Sequence, residues 1–130
     1  MISKFRSAAL AATLALAITP AMGAAADYAF EPVTPEIKKG DDVTVTIRLT
    51  NKATGKAVPD AVIFKTRVDM APDGMADMES QVTPLPSKEP GVYAFKTDLP
   101  MAGRYQVTLS AKVQGEPQTV TGKVVVKATK

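Results

Sequence analysis

The sequence predicts an all-β protein, an immunoglobulin-like antiparallel β-sandwich of about seven strands. Three observations carry that expectation. Short segments alternate apolar and polar residues with the period of two that describes a half-buried strand. Glycine and proline turn signals separate those segments, and past the first 26 residues no stretch of ten or more has a helical period.

The clearest element is Val43 to Thr50, where Val45, Ile47 and Leu49 alternate with Thr44, Thr46 and Arg48. A second strand runs from Ala61 to Val68, with Val62, Phe64, Thr66 and Val68 expected to face inward and Lys65 and Arg67 outward. Gly91 to Asp98 carries Tyr93 and Phe95. In Arg104 to Val113, Tyr105, Val107, Leu109 and Ala111 share one face. Thr119 to Lys127 puts Val120, Val124 and Val126 inward, and Tyr28 to Pro35 and Ser80 to Leu85 are weaker strand signals. Turns are expected at "KKGDD", "NKATGKAVPD", "PDG", "PLPSKEPG", "LPMAG" and "QGEP". The "GRY" of residues 103 to 105 suits a tyrosine corner, in which a tyrosine early in the sixth strand bonds back to upstream backbone.

Residues 1–26 read as a cleaved secretory signal peptide and residues 27–130 as a single domain. Lys4 and Arg6 supply a positive start, Ala8 to Ile18 an apolar stretch, and Ala21, Gly23, Ala24, Ala25 and Ala26 the small residues of a cleavage site. The apolar stretch is roughly half the length a membrane-spanning helix needs. An exported, periplasmic protein without a transmembrane segment is the expectation.

Without that leader the 16 basic residues fall to 14 against 13 acidic ones, so the expected net charge is +1 rather than +3. That balance offers no electrostatic footprint for nucleic acid. The chain has neither cysteine nor histidine. An exported domain of this size must therefore hold its core without disulfides. It also lacks the commonest general base and the commonest metal ligand. With no nucleophile beside a base, no catalytic activity is expected.

What stands out is "RVDMAPDGMADMES", residues 67 to 80, which gathers Met70, Met75 and Met78 around a Pro-Asp-Gly turn. If consecutive strands alternate in direction, the loops at 38–42, 69–79 and 99–103 lie at one end, which brings Met101 to the same place. A thioether is a neutral, soft donor that suits Cu(I) or Ag(I) and suits zinc, calcium or magnesium poorly. Met75 and Met78 converge if "MADM" makes a helical turn. Packing is the competing role: methionine fills irregular gaps in cores, and Met70 continues the inward phase of Val68. A partner-binding patch is the third, since Met75 and Met78 are flanked by Asp73, Asp77 and Glu79. Those carboxylates lack the alternating oxygen ligands of a calcium loop.

"GKAVPDAVIFKTRVDMAPDGM" followed by "PGVYAFKTDLPMAGRYQVTLSAKV" resembles the YtkA-like and FixH-like group of small exported or membrane-anchored β-sandwich domains. The resemblance covers roughly residues 40 to 127. It implies copper handling or heavy-metal efflux, with Met70, Met75, Met78 and Met101 as metal ligands and an envelope protein as partner. More distantly the chain is similar to CopC-type periplasmic copper carriers, whose Cu(II) site uses histidines that this sequence lacks. The alternative function is a non-metal accessory module that docks its methionine-bearing end onto an envelope efflux or assembly complex.

Overall fold

A computed structural model describes residues 27–87 and 89–130 of the chain. The expected signal peptide lies outside the described residues. Ten strands form in chain order: β1 (Tyr28–Pro32), β2 (Glu36–Lys38), β3 (Gly40–Asn51), β4 (Lys56–Ala57), β5 (Val62–Met70), β6 (Met75–Ser80), β7 (Val82–Leu85), β8 (Val92–Leu99), β9 (Gly103–Lys112) and β10 (Val120–Thr129). A 3-10 turn, Ala71–Asp73, joins β5 to β6. Among the described residues no helix is long and apolar enough to cross a membrane.

The strands make two five-stranded sheets. One runs β1-β3-β8-β7 with β4 attached to β3, and the other runs β2-β10-β9-β5-β6. Their order follows an immunoglobulin-like sandwich, one sheet holding the first, second and fifth long strands and the other the third, sixth and seventh. The pairs are antiparallel except β2 with β10, which is parallel. The expected strand from Tyr28 to Pro35 ends at Pro32, and a separate short strand, Glu36–Lys38, follows it. Pro32 and Pro35 cannot donate ladder hydrogen bonds, so the chain leaves β3 there and joins β10 in the opposite sheet.

The period of two governs the core. Val45, Ile47 and Leu49 of β3 with Phe95 and Leu99 of β8 are buried on the inner face of one sheet, and Tyr105, Val107, Leu109 and Ala111 of β9 with Val124 and Val126 of β10 on that of the other. The count of ten rather than about seven strands reflects β2, β4 and β6. β2 and β4 span three and two residues, too few to display a period. β6 runs through the segment read from sequence as part of a loop.

One strand face differs from expectation. Val62 is 63% exposed and Phe64 is 52% exposed, although both were expected inward. The cause is a β-bulge: Ile63 pairs with Ala111 and Lys65 with the very next residue, Ser110, which leaves Phe64 as an extra residue. The bulge reverses the facing upstream of it, so Ile63 packs on the core while Thr66, Val68 and Met70 keep the expected phase. The ammonium of Lys112 stands 5.8 Å from the centre of the exposed Phe64 ring.

These facings set a mutational contrast. Leu109→Ala should lower the unfolding free energy by about 2–5 kcal/mol, as large-to-small core changes do. Phe64→Ser should shift it by no more than about 0.5 kcal/mol, the range of ordinary surface changes. Chemical denaturation of both variants measures the difference.

Candidate functional site at the methionine-bearing end

The β5–β6 and β8–β9 connections meet through three consecutive residues of the chain. At Gly103 the backbone has a φ of 150°, and a Cβ there would stand 2.7 Å from both Met70 Cε and Asp73 Oδ2. A larger residue would have to displace the ends of the Met70 and Asp73 side chains, in a backbone conformation that other residues rarely adopt. Next, the Arg104 backbone N–H donates to Asp73 Oδ2 at 2.8 Å, its Nε to Asp73 Oδ1 at 2.8 Å and its Nη2 to the Pro72 carbonyl at 2.7 Å. Then the Tyr105 hydroxyl donates to the Met101 carbonyl at 2.9 Å and accepts from the Met101 N–H at 3.2 Å. This is the tyrosine corner that "GRY" predicted. The 38–42 connection joins the same end, where the Asp42 N–H donates to Asp98 Oδ1 at 2.9 Å.

A second guanidinium organises the hairpin from its other side. Arg67 donates from Nε to Asp69 Oδ2, from Nη1 to Glu79 Oε1 and from Nη2 to the Ala76 carbonyl, each at 2.7 Å. Asp69 is only 3% exposed, and its other oxygen accepts from the Ala71 N–H at 2.9 Å, which starts the 3-10 turn. Gly74 ends that turn in the left-handed conformation at φ 78°. The ladder then pairs Met75 with Met70 and Glu79 with Asp69, so Ala76, Asp77 and Met78 are extra residues in the edge strand. The "MADM" segment is strand rather than helical turn, and Met75 and Met78 do not converge by a helical period.

The four methionines thus gather at one end but divide by environment. Met70 is 1% exposed and belongs to the core, whereas Met75 is half-buried against it. Met78 is 46% exposed and Met101 is 40% exposed. A cavity of about 170 Å³ opens beside them, lined by Met70, Asp77, Met78, Glu79, Ser80, Pro100 and Tyr105. Met101 directly follows its lining residue Pro100. A larger cavity of about 350 Å³ lies on the outer face of the other sheet, between β3, β8 and residues Leu85, Pro86, Ser87 and Glu89. Its polar groups are Thr44, Thr46, Ser87 and Glu89, without a paired base. Among the described residues no three carboxylates converge as a hard-cation site.

Of the contacts that shape the methionine end, the Tyr105 corner was legible in the sequence, whereas those of Arg67 and of Asp73 with Arg104 were not. Arg67 and Asp69 are two apart and so share a strand face, a signal that was available. Asp73 and Arg104 are 31 positions apart, and nothing local announces their pairing.

Two measurements probe this framework. The Asp73 carboxyl is held below its ordinary value of 3.8, first by the Arg104 backbone N–H and next by the Arg104 guanidinium. A depressed folded value contributes stability above the unfolded value, lost as pH falls through the folded one. The melting temperature of the parent should therefore drop more steeply below about pH 4 than that of Asp73→Asn. Tyr105→Phe should cost about 0.5–1.5 kcal/mol and speed amide exchange at Met101, readable by hydrogen-exchange mass spectrometry.

No curated protein sequence matches the chain. Among solved structures, one titled ZirS C-terminal Domain is similar at 14% identity with a TM-score of 0.45, covering 79% of this chain and 66% of that one. The chain thus spans slightly less than two thirds of that structure's length. The YtkA-like family model matches residues 23–110, more than half of the chain, and with a two-sheet sandwich behind that match, the chain belongs to the YtkA-like family.

Proposed function

We propose that the protein is an exported, non-catalytic carrier of a soft monovalent metal ion, Cu(I) or Ag(I), serving copper handling or heavy-metal efflux in the periplasm. One observation carries the reading: two thioethers, Met78 on β6 and Met101 in the β8–β9 connection, stand exposed at the same end of the sandwich. Two arginine clamps hold the backbone around them. Exposed methionine is an apolar group without a packing role at that position, and its lone pairs remain usable. Met70 borders the adjoining cavity from the core side, and Met75 is the ladder partner of Met70. The carrier's partner would be an envelope protein of metal efflux or copper assembly.

The same exposure supports a second reading, in which Met78, Met101 and the cavity beside Pro100 are adaptable apolar contacts for a protein partner without metal. A Met78→Leu/Met101→Leu double variant separates the two. It keeps apolar volume, so folding stability should fall by less than about 1.5 kcal/mol. A carbon cannot donate a lone pair, so Cu(I) binding under anaerobic competition with a chelator should be lost. If the parent binds no Cu(I) in that titration, the metal reading is wrong and the docking reading replaces it. Export has its own check. The mature protein should be released by osmotic shock with an intact mass starting between Ala24 and Asp27, and a membrane-bound form retaining Met1 to Gly23 would contradict it.

A further inference from the structure

The division of the methionines leaves the metal site short of donors. Met70 is sealed at 1% exposure, its methyl end wedged against Gly103 and Asp73. Met75 packs on the same core cluster. Releasing the Met70 sulfur to the surface means pulling apart packed core, and Met75 commits part of its surface to the same core, whereas Met78 and Met101 are the most exposed of the four. Two neutral thioethers leave the coordination shell of a soft monovalent ion open to further soft donors. We infer that the site is completed by a second copy of this chain, with Met78 and Met101 of each copy meeting around one Cu(I) or Ag(I) ion on a twofold axis. This inference rests on the soft-metal reading above.

Three features favour a second copy as the occupant. A twofold axis through the ion supplies an identical pair of thioethers, giving four soft donors from a single accessible patch. Met78 sits on β6, an edge strand, inside the segment Ala76–Met78 that the ladder to β5 leaves out, so nothing of the same sheet covers its outer side. The electrostatics also make association metal-dependent. Asp77 lines the cavity rim beside Met78, while Glu79 is held by Arg67. Two facing Asp77 carboxylates repel without an ion and are offset by a cation between them. The contact is too small to persist alone, because a few side chains per copy fall far below the about 1,200 Å² of a stable interface. Metal is the clip, and its loss releases monomers.

The test combines anaerobic titration of the mature protein with Ag(I) or Cu(I) and sedimentation velocity at each metal ratio. The expected result is saturation near one ion per two chains, with a monomer-to-dimer shift that appears only with metal and reverses on adding a competing soft chelator. Met78→Leu and Met101→Leu should each abolish the metal-dependent dimer, and Met75→Leu should leave it intact. Saturation at one ion per chain without a change in sedimentation would overturn the shared site and leave the soft-metal reading standing. A dimer that forms without metal, or persists in both Met78→Leu and Met101→Leu, would also overturn it. Absence of any binding would remove the soft-metal reading itself.

Discussion

The methionine-bearing end depends on three consecutive residues at the start of β9. Gly103 clears the space in which the two loops touch, Arg104 grips the 3-10 turn through Asp73 and Pro72, and Tyr105 ties the backbone of Met101. Each acts through a different property: absence of a side chain, a forked charged donor, and a buried ring with a polar tip. They work together because Tyr105 is anchored first, being 1% exposed in the middle of the core. The strand that closes the core is therefore also the strand that positions the surface loops.

That anchoring matters more in a chain without cysteine. In antibody-type sandwiches a cysteine two residues after the corner tyrosine bridges the sheets. Here Val107 holds that position, paired with Val68 of β5 and fully buried. Inter-sheet cohesion rests on apolar packing between β3 and β8 on one side and β5, β9 and β10 on the other. A disulfide acts largely on the unfolded chain, whereas packing acts only where side chains interlock. A sandwich held this way is sensitive to core truncation and indifferent to reducing conditions.

The two guanidiniums do different work. Arg67 closes the hairpin onto the nearly sealed Asp69 carboxylate, so its loss would leave a buried charge without its ion partner. Arg104 and Asp73 are more open to water, and an exposed ion pair contributes little to stability while still fixing geometry. Their combined effect is to hold loop backbone in one arrangement while leaving the Met78 and Met101 side chains free. For the soft-metal site proposed above, such a fixed backbone would lower the ordering entropy lost on binding.

Much of this protein is legible in its sequence. The alternation in β3 and β9 is local, since successive side chains of a strand point to opposite faces regardless of what the strand pairs with. That is why Val45, Ile47, Leu49, Tyr105, Val107 and Leu109 were placed inward correctly. The YtkA-like resemblance and the tyrosine corner were readable for a similar reason, as compact motifs. Met70 followed Val68 into the core by the same period. Tertiary structure alone decided the rest. The facing of Phe64 depends on a bulge, which belongs to the pairing of β5 with β9 and not to β5 itself. The short strand β2 exists only because a partner distant in sequence, β10, supplies its hydrogen bonds, while β4 is a two-residue hairpin return onto the end of β3, too short to show a period. The exposure of Met78 and Met101 beside a sealed Met70 came from loop contacts between residues 31 or more positions apart, such as Asp73 with Arg104. Local periodicity carries no record of register, and register determined which sulfurs reach the surface.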